Sequence, residues 1–295
     1  MKLGVIVPQG WTGEYTGWDS TRAWSRTVEV ARKAEQLGFD SIWLFDHFHT
    51  TPDPTDAPVF ESYTSLTALA AMTQHVRLGH VVTCAGFRNP ALLAKMISTM
   101  DVISGGRMNL GIGAGWKEEE WRAYGYGFPD RKARLRQLED ALEIATRMFA
   151  PGRATYRGPI SSVDEAINEP KPLQEPRVPI MVGGNGRQVT WRLAARLADE
   201  LNLDAMPPDE VAEALPVIAQ RCEEVGRDPK SLPVSIHLWR KDEERNRREP
   251  LAELLGRYNE LGLTRAMALL PGIEDSNEPL NEYAEAGRAA GVEFR

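Results

Sequence analysis

Short apolar runs return along this chain at intervals long enough to hold one helix each. They are LGVIV (3–7), SIWLF (41–45), VRLGHVVT (76–83), RMNLGIG (107–113), PIMVGG (179–184), ELNL (200–203), PVSIHL (233–238) and RAMALL (265–270). Between them the spacing turns helical: Trp24, Val28, Ala31 and Leu37 share one face, and Leu135, Leu138, Leu142, Ala145 and Phe149 form a stripe. Strict alternation of strand and helix requires parallel strands buried on both faces, because every return to the sheet passes through a crossover helix. Eight such units in 295 residues predict an α/β fold, a single (β/α)8 TIM barrel spanning residues 1–295. A doubly wound open sheet is the alternative.

Two intervals break the rhythm. Residues 151–179 carry five prolines beyond Pro151 and no sustained periodicity, so they read as a long loop inserted before the fifth strand; such insertions often sit at a functional mouth or act as lids. The charge run RKDEERNRREP (240–250) reads as a solvated loop or helix start. The formal charge of −7 argues against nucleic acid or an anionic membrane as a partner, since both ask for a basic face. Cys84 and Cys222 are far apart and form no CxxC pair, which suggests neither a disulfide framework nor a zinc ribbon. The opening MKLGVIVPQGW is too short an apolar run for a signal segment, and no stretch reaches the ~18 apolar residues of a membrane span. The expectation is a cytoplasmic protein acting on a small molecule; a homodimer is admitted but not required by anything in the sequence.

In a barrel, chemistry gathers just beyond the C-terminal ends of the strands. There the chain places Gln9 and Trp11 after the first run, Asp46 and His47 after the second, Cys84 and Phe87 after the third, Ala114, Gly115 and Trp116 after the fourth, and Gly183, Gly184, Asn185 and Gly186 after the fifth; His237 lies in the seventh. In PIMVGGNGRQ a strand passes through glycines into a helical pattern, so bare amides and a helix N-terminus could cradle an anion with Arg187 nearby. The same glycines would serve equally as tight turns. Neither this segment nor LGIGAGW carries a GxGxxG fingerprint in dinucleotide-binding context. His47 and His49 form an HxH pair, but a catalytic zinc needs about three protein ligands, and the fifth, sixth and eighth strand ends offer only Asp204. No metal site is expected. Trp11, Trp18, Trp116 and Trp121 suggest a partly apolar cavity.

The ordered set GFDSIWLFDHF, VRLGHVVT, FRNPALLAKMISTMDVISGGRMNLGIGAGW, PIMVGGNG and RLAARLADELN resembles the luciferase-like monooxygenase superfamily, most of all its branch using the deazaflavin F420. The likeness is strong over residues 1 to about 205 and beyond that holds only in strand–helix rhythm. It implies an F420-dependent oxidoreductase moving hydride between the deazaflavin C5 and a small organic substrate. The alternatives are an FMN-dependent monooxygenase using reduced flavin and O2, and a flavin-binding homologue without chemistry. By the resemblance His47 is the catalytic residue. The cofactor would meet Asp46, then a distorted third strand at Val81, Val82, Thr83 and Cys84 with a non-proline cis bond at Val81–Val82, then Gly113, Ala114 and Gly115, and finally Gly183, Gly184, Asn185, Gly186 and Arg187. Arg88, Lys117 and Arg187 are the cations placed to meet a polyanionic tail. Where some relatives carry a glutamate after the fourth-strand glycines, this chain has Trp116.

Overall fold

The computed structural model describes residues 1–239, 249–292 and 294. In chain order its elements are β1 (Lys2–Ile6), α1 (Ser20–Gln36), β2 (Ser41–Leu44), α2 (Ser62–Met72), β3 (Arg77–His80), β4 (Thr83–Cys84), α3 (Pro90–Ser104), β5 (Leu110–Gly113), α4 (Glu118–Ala123), α5 (Arg131–Phe149), β6 (Ala154–Arg157), β7 (Ser162–Ala166), β8 (Ile180–Gly183), α6 (Thr190–Leu197), β9 (Glu200–Asp204), α7 (Pro208–Glu224), β10 (Val234–Trp239), α8 (Leu251–Glu260), β11 (Arg265–Leu269) and α9 (Glu278–Ala289). All eight apolar runs hold a strand, and the third is split into β3 and β4. The charge run falls largely on residues 240–248, outside the described residues.

The strands pair in parallel in the order β3-β2-β1-β11-β10-β9-β8-β5-β4. Because β3 and β4 are consecutive pieces of one run, the two ends of that order meet. The seam is closed by a parallel bridge between Leu78 and Met108, with Leu78 N donating to Arg107 O at 3.0 Å and Asn109 N to Leu78 O at 2.8 Å. The sheet is therefore a barrel, and the open-sheet alternative is discarded.

Alternation along each strand divides the apolar residues in two. Leu3, Val5, Ile42, Leu44, Leu78, Leu110 and Ile112 face the helices, while Ile6, Trp43, Met181, Met267 and Leu269 fill the barrel. Trp43 is the plug. A β-carbon on Gly4 or Gly79 would lie 2.8 Å from Trp43 Nε1 or 2.4 Å from its Cζ3, so two strands forgo side chains to seat one indole. Its Nε1 donates to Ser41 Oγ at 2.9 Å, and the barrel can hold a ligand only above it, at the C-terminal mouth.

The helices are fixed by local chemistry. Asp19, Asn89 and Asp130 cap α1, α3 and α5 through side-chain oxygens on first-turn amides, and α3 has Pro90 in its first turn and ends at Gly105, where φ is +69°. Leu138, Ala141, Leu142, Ala145 and Phe149 are buried on α5. The 151–179 insertion is more ordered than its prolines suggested: β6 and β7 form an antiparallel hairpin. The buried Asp140 on α5 holds it, accepting from Tyr156 Oη at 2.9 Å, Ile160 N at 2.9 Å and Ser161 N at 2.8 Å. No residue of the insertion lines the cavity at the barrel mouth, so it is not a lid over that cavity. Among the described residues no helix is long and apolar enough to cross a membrane.

Candidate active site

A cavity of about 370 Å³ opens at the C-terminal end of the barrel. Trp11, His47, Val82, Gly113, Gly183 and His237 mark its circumference. Its walls differ. Around β4, β5 and β8 they are mostly backbone and aliphatic: the Val81–Val82 peptide bond is cis, and a β-carbon on Gly113 or Gly183 would approach the Val82 side chain to 2.8 or 2.7 Å. Across the mouth, Trp11 and Phe45 lie 4.5 Å apart between ring centroids, and Phe45 stacks on Trp239 at 5.2 Å.

His47 follows β2 into this space. Its ring stacks on Trp11 at 4.0 Å with an interplanar angle of 3°, and its Nδ1 is 2.5 Å from Glu120 Oε2. The Glu120 side chain has no exposed surface, and its other oxygen accepts from Phe48 N at 3.0 Å. Burial alone would push this carboxyl up, but the hydrogen bond and charge of His47 and the Phe48 amide together hold it below the ordinary glutamate range. An ionised carboxylate only accepts, so His47 Nδ1 carries the proton and donates. That leaves Nε2, which has no hydrogen-bond partner among the described residues.

Asp46 is 2% exposed and its oxygens are already engaged. Oδ1 accepts from Ser62 Oγ at 2.9 Å, and Oδ2 from Cys84 N at 3.0 Å and Arg88 Nη1 at 2.7 Å. It ties the end of β2 to the end of β4 and the start of α2. Burial works against the Arg88 charge, and the Asp46 carboxylate more than restores it. With its second nitrogen on Glu61 at 2.7 Å, Arg88 is committed to the scaffold and not offered to a tail. The thiol of Cys84 is pushed up to about 12 by burial.

Of the residues singled out in the sequence, Asp46, His47, Val81, Val82, Thr83, Cys84, Gly113, Ala114, Gly115, Gly183, Gly184 and Gly186 line the cavity. Asn185 and Arg187 do not. Asn185 instead clamps the end of β9, accepting from Asp204 N at 2.9 Å and donating to Asp204 O at 2.8 Å, and the exposed Arg187 guanidinium lies 5.8 Å from the Trp191 ring. Gly184 sits at φ +127°, and its amide donates to Asn202 O at 3.0 Å; that amide belongs to the sheet and does not point at an anion. Among the described residues, the lysines and arginines that line the cavity are Lys117, Arg131 and Arg134, which follow β5 and open α5. Trp18 stays outside the cavity and Trp239 is in it.

Tyr63, a conceivable proton donor, is buried behind the wall with its hydroxyl 2.7 Å from Thr83 Oγ1, and burial raises its phenol far beyond the usual range. His80 stacks on Tyr63 at 4.1 Å and burial pulls it down to about 4. His49 directs Nδ1 to Thr50 O at 3.1 Å, so the HxH pair diverges. Among the described residues no group of three or more His, Cys, Asp or Glu side chains could hold a metal ion.

The model of a family described as luciferase-like monooxygenase matches residues 1–291. An uncharacterized protein of Mycobacterium tuberculosis is 28% identical over 258 residues, 82% of this chain and 86% of that one. An F420-dependent glucose-6-phosphate dehydrogenase of Microbacterium testaceum is 36% identical over 168 residues, 56% of this chain and 48% of the relative, so only about half of that enzyme's length is matched. Among solved structures, a monooxygenase from Streptomyces bottropensis superposes with a TM-score of 0.75 at 20% identity, covering 97% of this chain and 98% of the other, a likeness of fold.

Proposed function

The chain belongs to the luciferase-like monooxygenase family, and from that premise we propose that it is an F420-dependent oxidoreductase transferring hydride between the deazaflavin and a small organic substrate. The observation that carries the proposal is His47, which lines the cavity, is stacked on Trp11 and is bonded through Nδ1 to Glu120, so that Nε2 is the nitrogen left for a ligand.

The cavity fits such a cofactor on its own chemistry. The cis Val81–Val82 peptide and the Val82 side chain beside Gly113 and Gly183 give an apolar wall against which a fused ring would lie. Lys117, Arg131 and Arg134 supply cations on one side for phosphate and carboxylate groups. When bound, the deazaflavin would accept or deliver the hydride at C5. The protein's part is to hold the substrate and move the accompanying proton. With Nδ1–H fixed on Glu120, His47 takes up or releases that proton at Nε2. Glu120 acts through His47 as a positioning residue.

Separate equilibrium titrations with F420 and FMN test this reading. Tighter binding of F420 is expected. Tight FMN binding without F420 binding would replace it by the monooxygenase reading, and binding of F420 without turnover of any small carbonyl or alcohol would leave a carrier.

A further inference from the structure

Trp116 lines the cavity, yet neither the proton chemistry of His47 nor the packing of the barrel uses it. It is 65% exposed, and of the chain's eight tryptophans, all of them described, it alone is exposed. The chain on either side of it is held. Gly115 O accepts from Arg134 Nε at 3.2 Å, and a β-carbon on Gly115 would run into Cys84 Sγ. Lys117 is buried; its Nζ donates to Thr50 O at 3.3 Å, and its carbonyl accepts from Glu120 N at 3.1 Å. A fixed backbone thus carries a large, uncovered apolar ring at the cavity rim, a placement that packing does not account for.

The ring stands beside the group that handles the proton. Trp116 lies edge-on to His47, with centroids 6.0 Å apart and planes at 73°. Trp11 stacks on the same imidazole, and Phe45 lies 6.3 Å from it. The polar side chains of this part of the cavity are turned away from it: Asp46 is 2% exposed, and Thr83 and Glu120 are 0% exposed. They are spent on Arg88, on Tyr63 and on His47. A ligand lying against His47 therefore meets mostly aromatic carbon, and hydroxyls on that part of it would give up water without a replacement.

We infer that Trp116 is a substrate-binding, specificity-determining residue whose indole covers the hydrocarbon flanking the reacting carbon. The substrate is an alkyl or aryl alcohol or ketone rather than a polyol or a sugar. Covering the exposed indole with hydrocarbon removes apolar surface of both partners from water, and a hydroxylated surface forgoes that gain. The inference rests on the cofactor reading, which makes His47 the residue beside the reacting carbon.

Calorimetric titrations with cyclohexanone and inosose, the same carbocyclic ketone without and with ring hydroxyls, test it on the protein saturated with oxidised F420. Cyclohexanone should bind at least about tenfold more tightly than inosose. Trp116→Ala should weaken cyclohexanone about tenfold while inosose and F420 affinities stay within a few-fold, and Trp116→Phe, which keeps an aromatic face, should retain most of the preference. Inosose binding as tightly as cyclohexanone, reduction of F420 by inosose, a cyclohexanone affinity unchanged in Trp116→Ala, or no saturation by cyclohexanone overturns the inference. So does an equal loss of F420 affinity in Trp116→Ala, which would put the indole on the cofactor. If the wild type binds no F420, the cofactor reading fails by itself, and the same two ketones titrated without cofactor decide the role of Trp116.

Discussion

His47 Nδ1 donates to Glu120 Oε2 at 2.5 Å, joining the end of β2 to the buried face of α4 across 73 residues of chain. The pair fixes the tautomer and the tilt of the imidazole, so it decides which nitrogen faces the cavity. Glu120→Gln keeps the volume but presents an amide that can donate to Nδ1 and favour the other tautomer. Turnover should fall about 10²-fold, with KM and F420 affinity held within a few-fold. Steady-state kinetics beside a cofactor titration check this; parallel losses in kcat and cofactor affinity would show that Glu120 only holds α4 in place.

His47→Ala should lose roughly 10²-fold or more in turnover, the ordinary size of a lost acid–base contribution, while cofactor affinity stays within a few-fold. His49→Ala should be nearly silent, because its ring points to the Thr50 carbonyl. Comparing the two variants under saturating cofactor measures the difference. Equal loss in both would assign the effect to the loop rather than to one imidazole.

The contrast between these residues shows what the sequence makes legible. Asp46 and His47 stand out because polar groups abruptly end an apolar run, and the barrel rule gives that position a meaning. Glu120 does not, because it is the last of three consecutive glutamates. Glu118 and Glu119 are exposed and Glu120 is buried, and only the docking of α4 selects among them. A signal was present: Lys117, Glu120 and Trp121 share one helical face and are all buried. The 154–166 hairpin was hidden for another reason, since a single carboxylate buried on the preceding helix α5 supplies the acceptors that its turn needs. Arg187 and Arg88 were read as cofactor cations from proximity to strand ends, but one faces outward and the other is claimed by Asp46 and Glu61.

Gly184→Ala tests how the fifth βα turn is built. A β-carbon there meets only Thr190 Cγ2, at 3.7 Å, so space is not the obstacle; the backbone at φ +127° is. A loss of about 1–3 kcal/mol is expected, read as a lowered denaturation midpoint. Cofactor affinity measured on the folded fraction should fall less than stability does, because the Gly184 amide is already bonded to Asn202.

Acid should weaken the fold through Glu35. Its Oε1 accepts from Gln74, His75 and Val76 amides at 2.8, 2.6 and 3.0 Å. Burial would raise its pKa, yet the three amides hold it below the ordinary value. A carboxyl depressed in the folded state lends stability that is complete above its unfolded pKa of about 4.3 and is lost as pH falls through the lower, folded value. Melting temperatures from pH 7 down to about pH 3 should therefore drop less steeply in Glu35→Gln, which begins less stable at neutrality. Parallel curves for both proteins would remove Glu35 from the account.

Asp46→Ala should act on the cofactor through the scaffold. The carboxylate is buried, paired with Arg88 at 2.7 Å, and bonded to Ser62 Oγ and Cys84 N. Its removal leaves the mostly buried Arg88 guanidinium with Glu61 but without its buried partner, a loss of about 3 kcal/mol, and frees the Cys84 amide, two residues beyond the cis Val81–Val82 bond. Since Val82 lies between Gly113 and Gly183 at the cavity floor, a loosened β4 should weaken F420 binding more than it changes kcat at saturating cofactor. Arg88→Met in the same background separates the two effects. It removes the guanidinium that has lost its buried partner and should recover part of the stability, yet it leaves the Cys84 amide without the Asp46 acceptor, so cofactor affinity should stay low. If affinity recovers along with stability, the Asp46–Cys84 bond is not what shapes the floor.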